Sequence, residues 1–415
     1  MAALVLLPVL VTAGAPVAAE TAPWPVGTFV DSTHRLFLGR APTDVELSRW
    51  APTIELGHRS ALTRALATSD EWAGARIDEL YRTVFGRSAD PAGRSHWVRH
   101  VAAGHTLESV AALLYGSEEY WRAAGGTAGG FVDRIYAGVL GREPDDDGRA
   151  HWVSVIDGGT PTASVAAGFY GSVESREDRV TAVFGAVLQR APDDAGLAYW
   201  VDVVPRLGDV TLAAALAASD ERWVRVTGTQ PPPAPTRGVG TGHQAFATAS
   251  PVALHHPVAV GEVAGFHESG HDGSRQQVAR PIGLRALTMS SRDRGTASRS
   301  AVDLVVPPGL EVRAPVTGTV RSASAYVLYC RYTDHEIVIE PDARPGWQVH
   351  VLHVEGTSVR AGDRVVAGVT PISPRARVLP FTSQVDRHAG SPRWPHVHVE
   401  VLDPTVPDRP PGRTC

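Results

Sequence analysis

The 415-residue chain has few cysteines, little net charge and few long apolar runs. A formal net charge of −5, with acids and bases scattered along the chain, gives no strong basic field, so nucleic acid is not an implied partner. Apolar residues make up 43% and charged residues 20% of the chain, which excludes a disordered protein. The length allows two or three globular domains.

The first 19 residues form an apolar stretch that predicts export. The segment is apolar through about Ala13 and ends in Val17-Ala18-Ala19, which is typical of a secretory signal peptide cleaved after Ala19. It lacks a basic n-region, which leaves open a start further upstream or an uncleaved membrane anchor. It is too short and too broken by Pro and Gly for a good transmembrane helix, and no later segment could span a bilayer. We expect a secreted or cell-envelope protein, with a membrane contact only if the segment stays uncleaved.

The chain has only two cysteines, Cys330 and Cys415. Export would permit a disulfide between them, which would tie the last residue back to the body of the protein. Two unpaired thiols are the alternative.

Residues 30–223 contain a repeat with a period of 47 to 55 residues. Each of four segments has an Arg followed ten positions later by a Trp. The Arg residues are Arg40, Arg87, Arg142 and Arg190, and the Trp residues are Trp50, Trp97, Trp152 and Trp200. A fixed offset at a regular period indicates repeated structural units. We place the four units at about residues 30–72, 76–121, 131–175 and 180–223.

The repeats have a helical pattern. In RIDELYRTVFGR apolar residues recur at helical spacing until Gly86 ends the run. The Pro/Asp stretch that follows predicts a turn whose Asp caps the helix carrying Trp97. We interpret EPDDDG, with Asp145, in the same way and not as a calcium loop, because the bidentate Glu of an EF-hand is missing. Each unit is therefore predicted to be two or three short helices around a buried Trp. The units resemble a helical repeat of unassigned function in bacterial secreted and surface proteins, which implies no chemistry.

The sequence pattern changes after a Pro/Gly-rich stretch at residues 224–250, which we interpret as a linker. From about Ala253, Val-rich segments with period-two alternation are separated by Gly, Pro and Asp. This pattern predicts antiparallel strands, and hence an all-β sandwich or small barrel over residues 251–415. The expected fold is thus multidomain, with all-α repeats followed by an all-β domain.

The stretch GFHESGHDG contains His267-Glu268-Ser269-Gly270-His271, which matches the H-E-x-x-H motif of zinc proteases. The motif works on a helix, but the preceding residues are β-branched and Gly-containing, and Gly270 disfavours a helix by about 1 kcal/mol. We therefore expect a strand and a polar loop here, with His267 or His271 near a site that other residues form.

A second group of potential ligands lies at the other end of the domain, in WPHVHVEV. On a strand, His396, His398 and Glu400 share one face, while the intervening valines point to the other. Two imidazoles and a carboxylate on one face suit a metal site. Polar residues on a surface strand are the alternative.

Two more stretches complete a recognisable pattern. Asp303 lies on a strand before a Pro-Gly turn in SAVDLVVPPGLEV, and His353 lies on a strand before a Gly-Asp turn in VHVLHVEGTSVRAGDRVV. With the AP-x-x-G-x-V hairpin and the final H-x-H, residues 285–402 resemble the lysostaphin/LytM-type zinc endopeptidases, which cut peptides of bacterial cell walls. The resemblance implies that Asp303 and His398 are zinc ligands. It also implies that His353 and His396 orient the attacking water, transfer its proton or stabilise the oxyanion.

The sequence departs from that family at one position. The family's first ligand is a His four residues before the Asp, and Arg299 occupies that position here. Arg has no lone pair to donate, and two protein ligands hold zinc poorly. His267 or His271 is a possible third ligand, and the remaining candidates are His335, His388 and Glu400.

Three functions are consistent with these features. The first is an exported zinc endopeptidase that acts on peptidoglycan peptides with a substituted ligand. The second is a degenerate LytM-like domain that binds peptidoglycan or regulates another cell-wall hydrolase. The third is a surface-anchoring protein whose helical repeats hold an envelope component and whose β domain is a spacer.

Overall fold

The computed structural model describes residues 24–235 and 237–409. The signal segment (1–19) and Cys415 lie outside these residues, so cleavage and the disulfide stay predictions. Contacts divide the chain into two compact units: one runs to Pro42 and resumes over Thr63–Pro231, and the other comprises Thr43–Leu62 and the chain from Pro232 onwards. Among the described residues, no helix is both long enough and apolar enough to cross a membrane.

The first half of the described chain is helical. Its helices are α1 Pro25–Leu38, α2 Asp44–Glu55, α3 Arg59–Ala67, α4 Asp70–Phe85, α5 Pro91–Ala102, α6 Leu107–Tyr115, α7 Glu118–Ala123, α8 Ala128–Ile135, α9 Asp146–Asp157, α10 Thr162–Tyr170, α11 Val173–Leu188, α12 Asp194–Leu207, α13 Asp209–Ala217 and α14 Asp220–Thr227. A π-helical turn, Tyr136–Leu140, extends α8.

The helix boundaries follow from the capping residues of the repeat. Asp145 accepts a hydrogen bond from the backbone N–H of Gly148 at 2.7 Å, and Asp90 caps α5 in the same way. Gly86 ends α4 with a φ of 71°, a conformation in which Gly has no steric penalty. The expected capping role of the Pro/Asp stretch is therefore confirmed.

The repeated Arg lies just after a helix and forms an ion pair with a Glu in the first turn of the third helix further along the chain. Arg87 donates to both carboxylate oxygens of Glu119, at 2.8 and 3.0 Å. The equivalent pairs are Arg40–Glu71, Arg142–Glu174 and Arg190–Glu221. A bidentate Arg–carboxylate contact fixes orientation as well as distance, which explains the constant spacing of these residues.

The predicted burial of the repeated Trp is wrong for three of the four residues. Trp50 is buried, whereas Trp97, Trp152 and Trp200 are only half-buried. The most deeply buried tryptophans of the helical unit are Trp72 and Trp223 instead. A fixed sequence offset identifies equivalent positions, but burial depends on what packs over each position.

Helix α2 groups with the β-rich unit rather than with the other helices. The guanidinium of Arg49 donates to the carbonyl of Ala367 at 2.9 Å, and the hydroxyl of Thr53 donates to the carbonyl of Ala259 at 3.2 Å. The first sequence repeat is therefore shared between two structural units.

The second half of the described chain is built from strands. They are β1 Val239–Gly240, β2 Ala245–Ala249, β3 Val252–His255, β4 Val260–Gly261, β5 Val263–His267, β6 Val278–Ala279, β7 Arg285–Thr288, β8 Ala301–Val305, β9 Val312–Arg313, β10 Gly318–Leu328, β11 Tyr332–Pro341, β12 Gln348–Val354, β13 Arg364–Val365, β14 Pro371–Ser373 and β15 His396–Leu402. Strands β1 and β2 lie within the stretch that the sequence assigned to a linker. Strand β1 has only two residues, and the five residues of β2, AFATA, are mostly small and show little contrast between polar and apolar positions.

One large sheet organises this unit. Its strand order is β13-β10-β11-β12-β15-β8-β5-β7, and the pair β5–β7 is parallel while the others are antiparallel. The chain thus has the expected helical region followed by a β-rich domain, with a mixed sheet and no closed barrel among the described residues. The valines of β15 at positions 397, 399 and 401 are fully buried in the core on one face of the sheet. The histidines between them therefore project from the opposite face.

Candidate metal centre

Three adjacent strands bring the potential ligands together. In the central part of the sheet Asp303 of β8 pairs directly with His398 of β15 on one side and with Gly265 of β5 on the other. Paired residues project from the same face, and so does His267, two positions beyond Gly265.

The ligand atoms of His267, Asp303 and His398 all lie within 4.8 Å of one another. Asp303 Oδ1 is 2.8 Å from His398 Nδ1 and 3.2 Å from His267 Nε2. The side chains of His267 and Asp303 are 3% and 7% exposed, so they have little contact with bulk water. In the described part of the chain this is the one group of three or more His, Cys, Asp or Glu residues that could hold a metal ion.

The tautomer of His267 indicates that a cation or a proton lies between its ring and Asp303 when the cluster is in its stable form. Its Nδ1 lies 2.8 Å from the carbonyl oxygen of Glu268, so Nδ1 carries the proton that it donates. Nε2 then presents a lone pair towards the Asp303 carboxylate, and it has no hydrogen-bond partner although it is buried. Two acceptors 3.2 Å apart in a buried site are unfavourable unless a cation or a proton lies between them. Two imidazoles and a carboxylate suit zinc, with an open position for water.

The electrostatics of the cluster favour positive charge. Burial alone would raise the pKa of Asp303, but the adjacent imidazoles of His267, His396 and His398 hold it well below its usual range. Burial opposes protonation of His398, yet hydrogen bonds to the Asp303 and Glu400 carboxylates outweigh it and raise its pKa to about 10. The carboxylates therefore stay ionised and attract a cation.

His353 and His396 flank the cluster. His396 Nε2 lies 4.0 Å from Asp303 Oδ2, and the rings of His353 and His396 are 5.1 Å apart. Burial lowers the pKa of His396 to about 4, so its imidazole is neutral at neutral pH and can accept a proton. The sequence-predicted set of Asp303, His353, His396 and His398 is thus together in space.

Asp334 orients His353. Its Oδ2 atom accepts from His353 Nδ1 at 2.6 Å and from the hydroxyl of Tyr326 at 2.7 Å, and its side chain is fully buried. His353 itself has a φ of 63°, an uncommon conformation for a non-Gly residue. Sequence reasoning missed Asp334 and Tyr326, because a contact between β11, β10 and β12 leaves no local motif.

A cavity of about 440 Å³ opens onto these residues. His267, Asp303, His353, His396 and His398 all line it. Its other walls come from the ends of β10 and from two loops, residues 289–300 and 374–395. The cluster is therefore accessible to a ligand of peptide size.

The HESGH stretch is not a zincin helix, as expected from its sequence. His267 ends strand β5, and Glu268 points away from the cavity to accept from Ser291 and from the backbone N–H groups of Arg292 and Arg294. His271 lies at the cavity rim, half-exposed, and its Nδ1 contacts Asp408 at 2.8 Å. Of the two candidate histidines, His267 is the one that joins Asp303 and His398.

Of the other residues considered as ligands or as the missing ligand position, Arg299, His335 and His388 lie away from the cavity, whereas Glu400 lines it. Arg299 donates to the hydroxyl of Thr288 at 2.7 Å, and its guanidinium carbon lies 5.2 Å from the Phe266 ring centroid. It does not line the cavity, so its charge is directed away from the cluster. His335 and His388 also do not line the cavity. Glu400 lines it, accepts from the hydroxyl of Ser269 and lies 3.9 Å from His398 Nε2.

Comparison with known families gives one match, in the helical unit. A family model described as a domain of unknown function (DUF4214) matches residues 74–122 and 111–179, which include the predicted second and third repeats. This similarity covers about a quarter of the chain and assigns no chemistry. Comparison with curated proteins gives no match.

Proposed function

We propose that the β-rich unit is a zinc-dependent endopeptidase in which His267, Asp303 and His398 hold the metal. The observation that carries this proposal is the convergence of these three side chains, from three adjacent strands, at the base of a cavity that His353 and His396 also line. His267 takes the place of the ligand that is missing at Arg299. The third ligand then comes from the neighbouring strand β5 instead of the segment before β8.

Zinc held here would supply a Lewis acid that activates water and polarises the scissile carbonyl. His396, neutral and buried, accepts the proton of the attacking water at Nε2. Asp334 accepts from Nδ1–H of His353 and fixes the orientation of its ring. The proton that His396 takes from the water passes to the leaving amine as the peptide bond breaks, and His353, beside His396, faces the developing oxyanion.

The resemblance of residues 285–402 to lysostaphin/LytM-type enzymes supports peptidoglycan peptides as the substrate class. This places the protein in the bacterial cell envelope or outside the cell, in line with the expected signal segment. The helical repeats would then be the part that associates with another envelope component.

The test is digestion of purified, insoluble peptidoglycan by the full chain loaded with zinc, with the released fragments identified by mass spectrometry. We expect new amino termini within the wall peptides, and their loss when zinc is removed by a chelator. The His271→Ala variant is the matched control, because it removes the other histidine of HESGH and should still digest the substrate. Intact peptidoglycan after incubation with the zinc-loaded protein would contradict the proposal.

A degenerate domain that binds peptidoglycan without cutting it is the alternative, and the position of Arg299 is the observation that favours it. It predicts that the protein cosediments with peptidoglycan but releases no fragments. It also predicts that Arg299→His creates hydrolysis, whereas under our proposal this substitution changes little because His267 already serves as the third ligand.

A further inference from the structure

The turn at residues 291–294 is held in place by Glu268. Its Oε2 accepts from the backbone N–H of Arg292 at 2.9 Å and of Arg294 at 3.1 Å, and its Oε1 accepts from the hydroxyl of Ser291 at 2.7 Å. Glu268 directly follows His267, so the turn is anchored to the same strand that supplies the proposed third ligand.

The two arginines of this turn line the cavity, and hydrogen bonds hold both side chains. Arg292 Nε donates to Gln384 Oε1 at 2.8 Å, and Gln384 in turn donates to Ser290. Arg294 Nη1 donates to the carbonyl of Glu268 at 3.0 Å. Both guanidinium groups are therefore pre-organised before any ligand binds, which reduces the entropy lost on binding.

Neither guanidinium forms an ion pair with a carboxylate anywhere in residues 24–235 and 237–409. This distinguishes them from most of the arginines that the structure describes, such as Arg364, which pairs with Asp342, or Arg375, which pairs with Glu355. The acidic side chains that line the cavity, Asp303 and Glu400, are engaged by histidines and Ser269. The nearest carboxylate, Glu268, attracts Arg294 but is occupied by Ser291 and by backbone N–H groups, so neither guanidinium donates to it. Guanidinium N–H groups at the wall of a cavity that do not donate to a carboxylate can bind an anionic group of a ligand.

We propose that Arg292 and Arg294 form a carboxylate subsite, so that the preferred substrate is a peptide carrying a free carboxylate that reaches this wall. Guanidinium groups bind carboxylates through charge-assisted, often bidentate hydrogen bonds. This inference rests on the proposed peptidase function for its kinetic readout, but the binding preference that it predicts does not require turnover.

The opposite wall would receive the uncharged part of the substrate. It contains Tyr326, Leu328 and Tyr329 of the β10–β11 hairpin, together with Leu379 and Phe381. The rings of Tyr329 and Phe381 are 5.4 Å apart, and Tyr329 is 64% exposed. In the strand order β10 is separated from β5 and β7 by the strands that carry His353, His398 and Asp303, so the hairpin part of the apolar wall lies across the cluster from the strand that precedes the arginine turn. This asymmetry would orient a peptide that is acidic at one end.

The experiment compares two preparations of one peptidoglycan, one with its free carboxyl groups intact and one in which they have been converted to amides. For wild type we expect kcat/KM to be about tenfold higher on the free-carboxyl preparation, mainly through KM, which is the scale of one charge-assisted hydrogen bond. Arg292→Gln combined with Arg294→Gln should remove this preference and leave zinc content unchanged. Arg299→Gln is the matched control and should keep the preference, because it removes a cation of the same loop that does not line the cavity.

Cosedimentation of each variant with the two preparations separates the two proposals. If neither preparation is cut, but the free-carboxyl form binds more tightly through Arg292 and Arg294, the peptidase proposal fails and the carboxylate subsite stands. Equal binding of both preparations by wild type, or a preference that survives the double substitution, overturns the subsite.

Discussion

The helical unit and the β-rich unit both contain pairs of opposite charge, but they arrange them differently. The four Arg–Glu pairs of the repeats join residues 31 or 32 positions apart, and their side chains are between about a third and a half exposed. In the β-rich unit His267, Asp303 and His398 come from positions far apart in the chain; the first two side chains are buried, and that of His398 is only 13% exposed.

This difference separates ion pairs that contribute only to the fold from charged groups that serve binding or catalysis. A solvated ion pair contributes about 0–1 kcal/mol and needs little support from its surroundings. A buried, convergent group of histidines and carboxylates has a desolvation cost of several kcal/mol, which the fold must offset elsewhere. The periodic pairs therefore explain the repeat, whereas the buried cluster requires a ligand or a reaction to explain it.

The largest expected effect is on hydrolysis, in the β-rich unit. His396→Ala removes the proposed general base, so we expect the rate of peptide release to fall by about 100-fold or more while zinc remains bound. Fragment release measured by mass spectrometry, together with zinc content, checks this. His388→Ala is the control and should retain full activity, since His388 does not line the cavity. Unchanged release by His396→Ala would remove His396 from the reaction.

The next effect compares a buried with an exposed carboxylate in the same unit. Asp334→Ala leaves His353 and Tyr326 without their shared acceptor, so we expect the free energy of unfolding to fall by about 2–4 kcal/mol. Asp342→Ala, which removes an exposed partner of Arg364, should cost less than about 1 kcal/mol. Urea unfolding of the full chain measures both. Equal losses of unfolding free energy in the two variants would show that the buried carboxylate contributes no more to stability than the exposed one.

The helical unit contains an exception to this division, the buried pair Arg179–Asp209, whose atoms are 2.7 Å apart. Burial raises the pKa of Asp209 to about 6, despite the opposing effect of Arg179. The folded state thus holds a proton more tightly than the unfolded state, and stability falls as pH rises from about 4 to 6. We expect the free energy of unfolding of Asp209→Asn to fall by about 1–3 kcal/mol less than that of wild type over this pH interval. Urea midpoints at both pH values, followed by circular dichroism, test it. Identical slopes would mean that Asp209 does not titrate in this range.

The smallest effect is expected at the repeated ion pairs. Glu119→Gln removes the charge that Arg87 contacts, and we expect a loss of at most about 1 kcal/mol that shrinks further at high salt. Thermal unfolding at low and high salt measures it. A salt-independent loss of more than about 2 kcal/mol would show that these ion pairs are a main source of stability in the repeats.

Much of the fold could be predicted because its signals are local. Helical spacing, the Asp caps and Gly86 define the helices, and period-two alternation identifies strands such as β8, β12 and β15. The parallel pairing of β5 with β7 was missed, because a short strand such as Arg285–Thr288 carries no sign of its partner. The half-burial of Trp97, Trp152 and Trp200 was missed for a similar reason, since it depends on the neighbouring helices.

The site could be predicted only in part. Asp303, His396 and His398 lie on strands with clear alternation, so a shared face follows from their spacing. The choice between His267 and His271 could not be made, because it depends on which strand lies beside β8. The role of Glu268 in anchoring the turn at residues 291–294 likewise depends on a contact between segments 23 to 26 residues apart.

Zinc content of the full-length protein and two single variants tests the central claim most directly. Purified wild type, His267→Ala and His271→Ala are dialysed against the same zinc solution, and bound metal is measured by mass spectrometry. The account predicts one zinc per chain in wild type and in His271→Ala, and loss of most of it in His267→Ala. One zinc per chain in all three, or none in wild type, would contradict it.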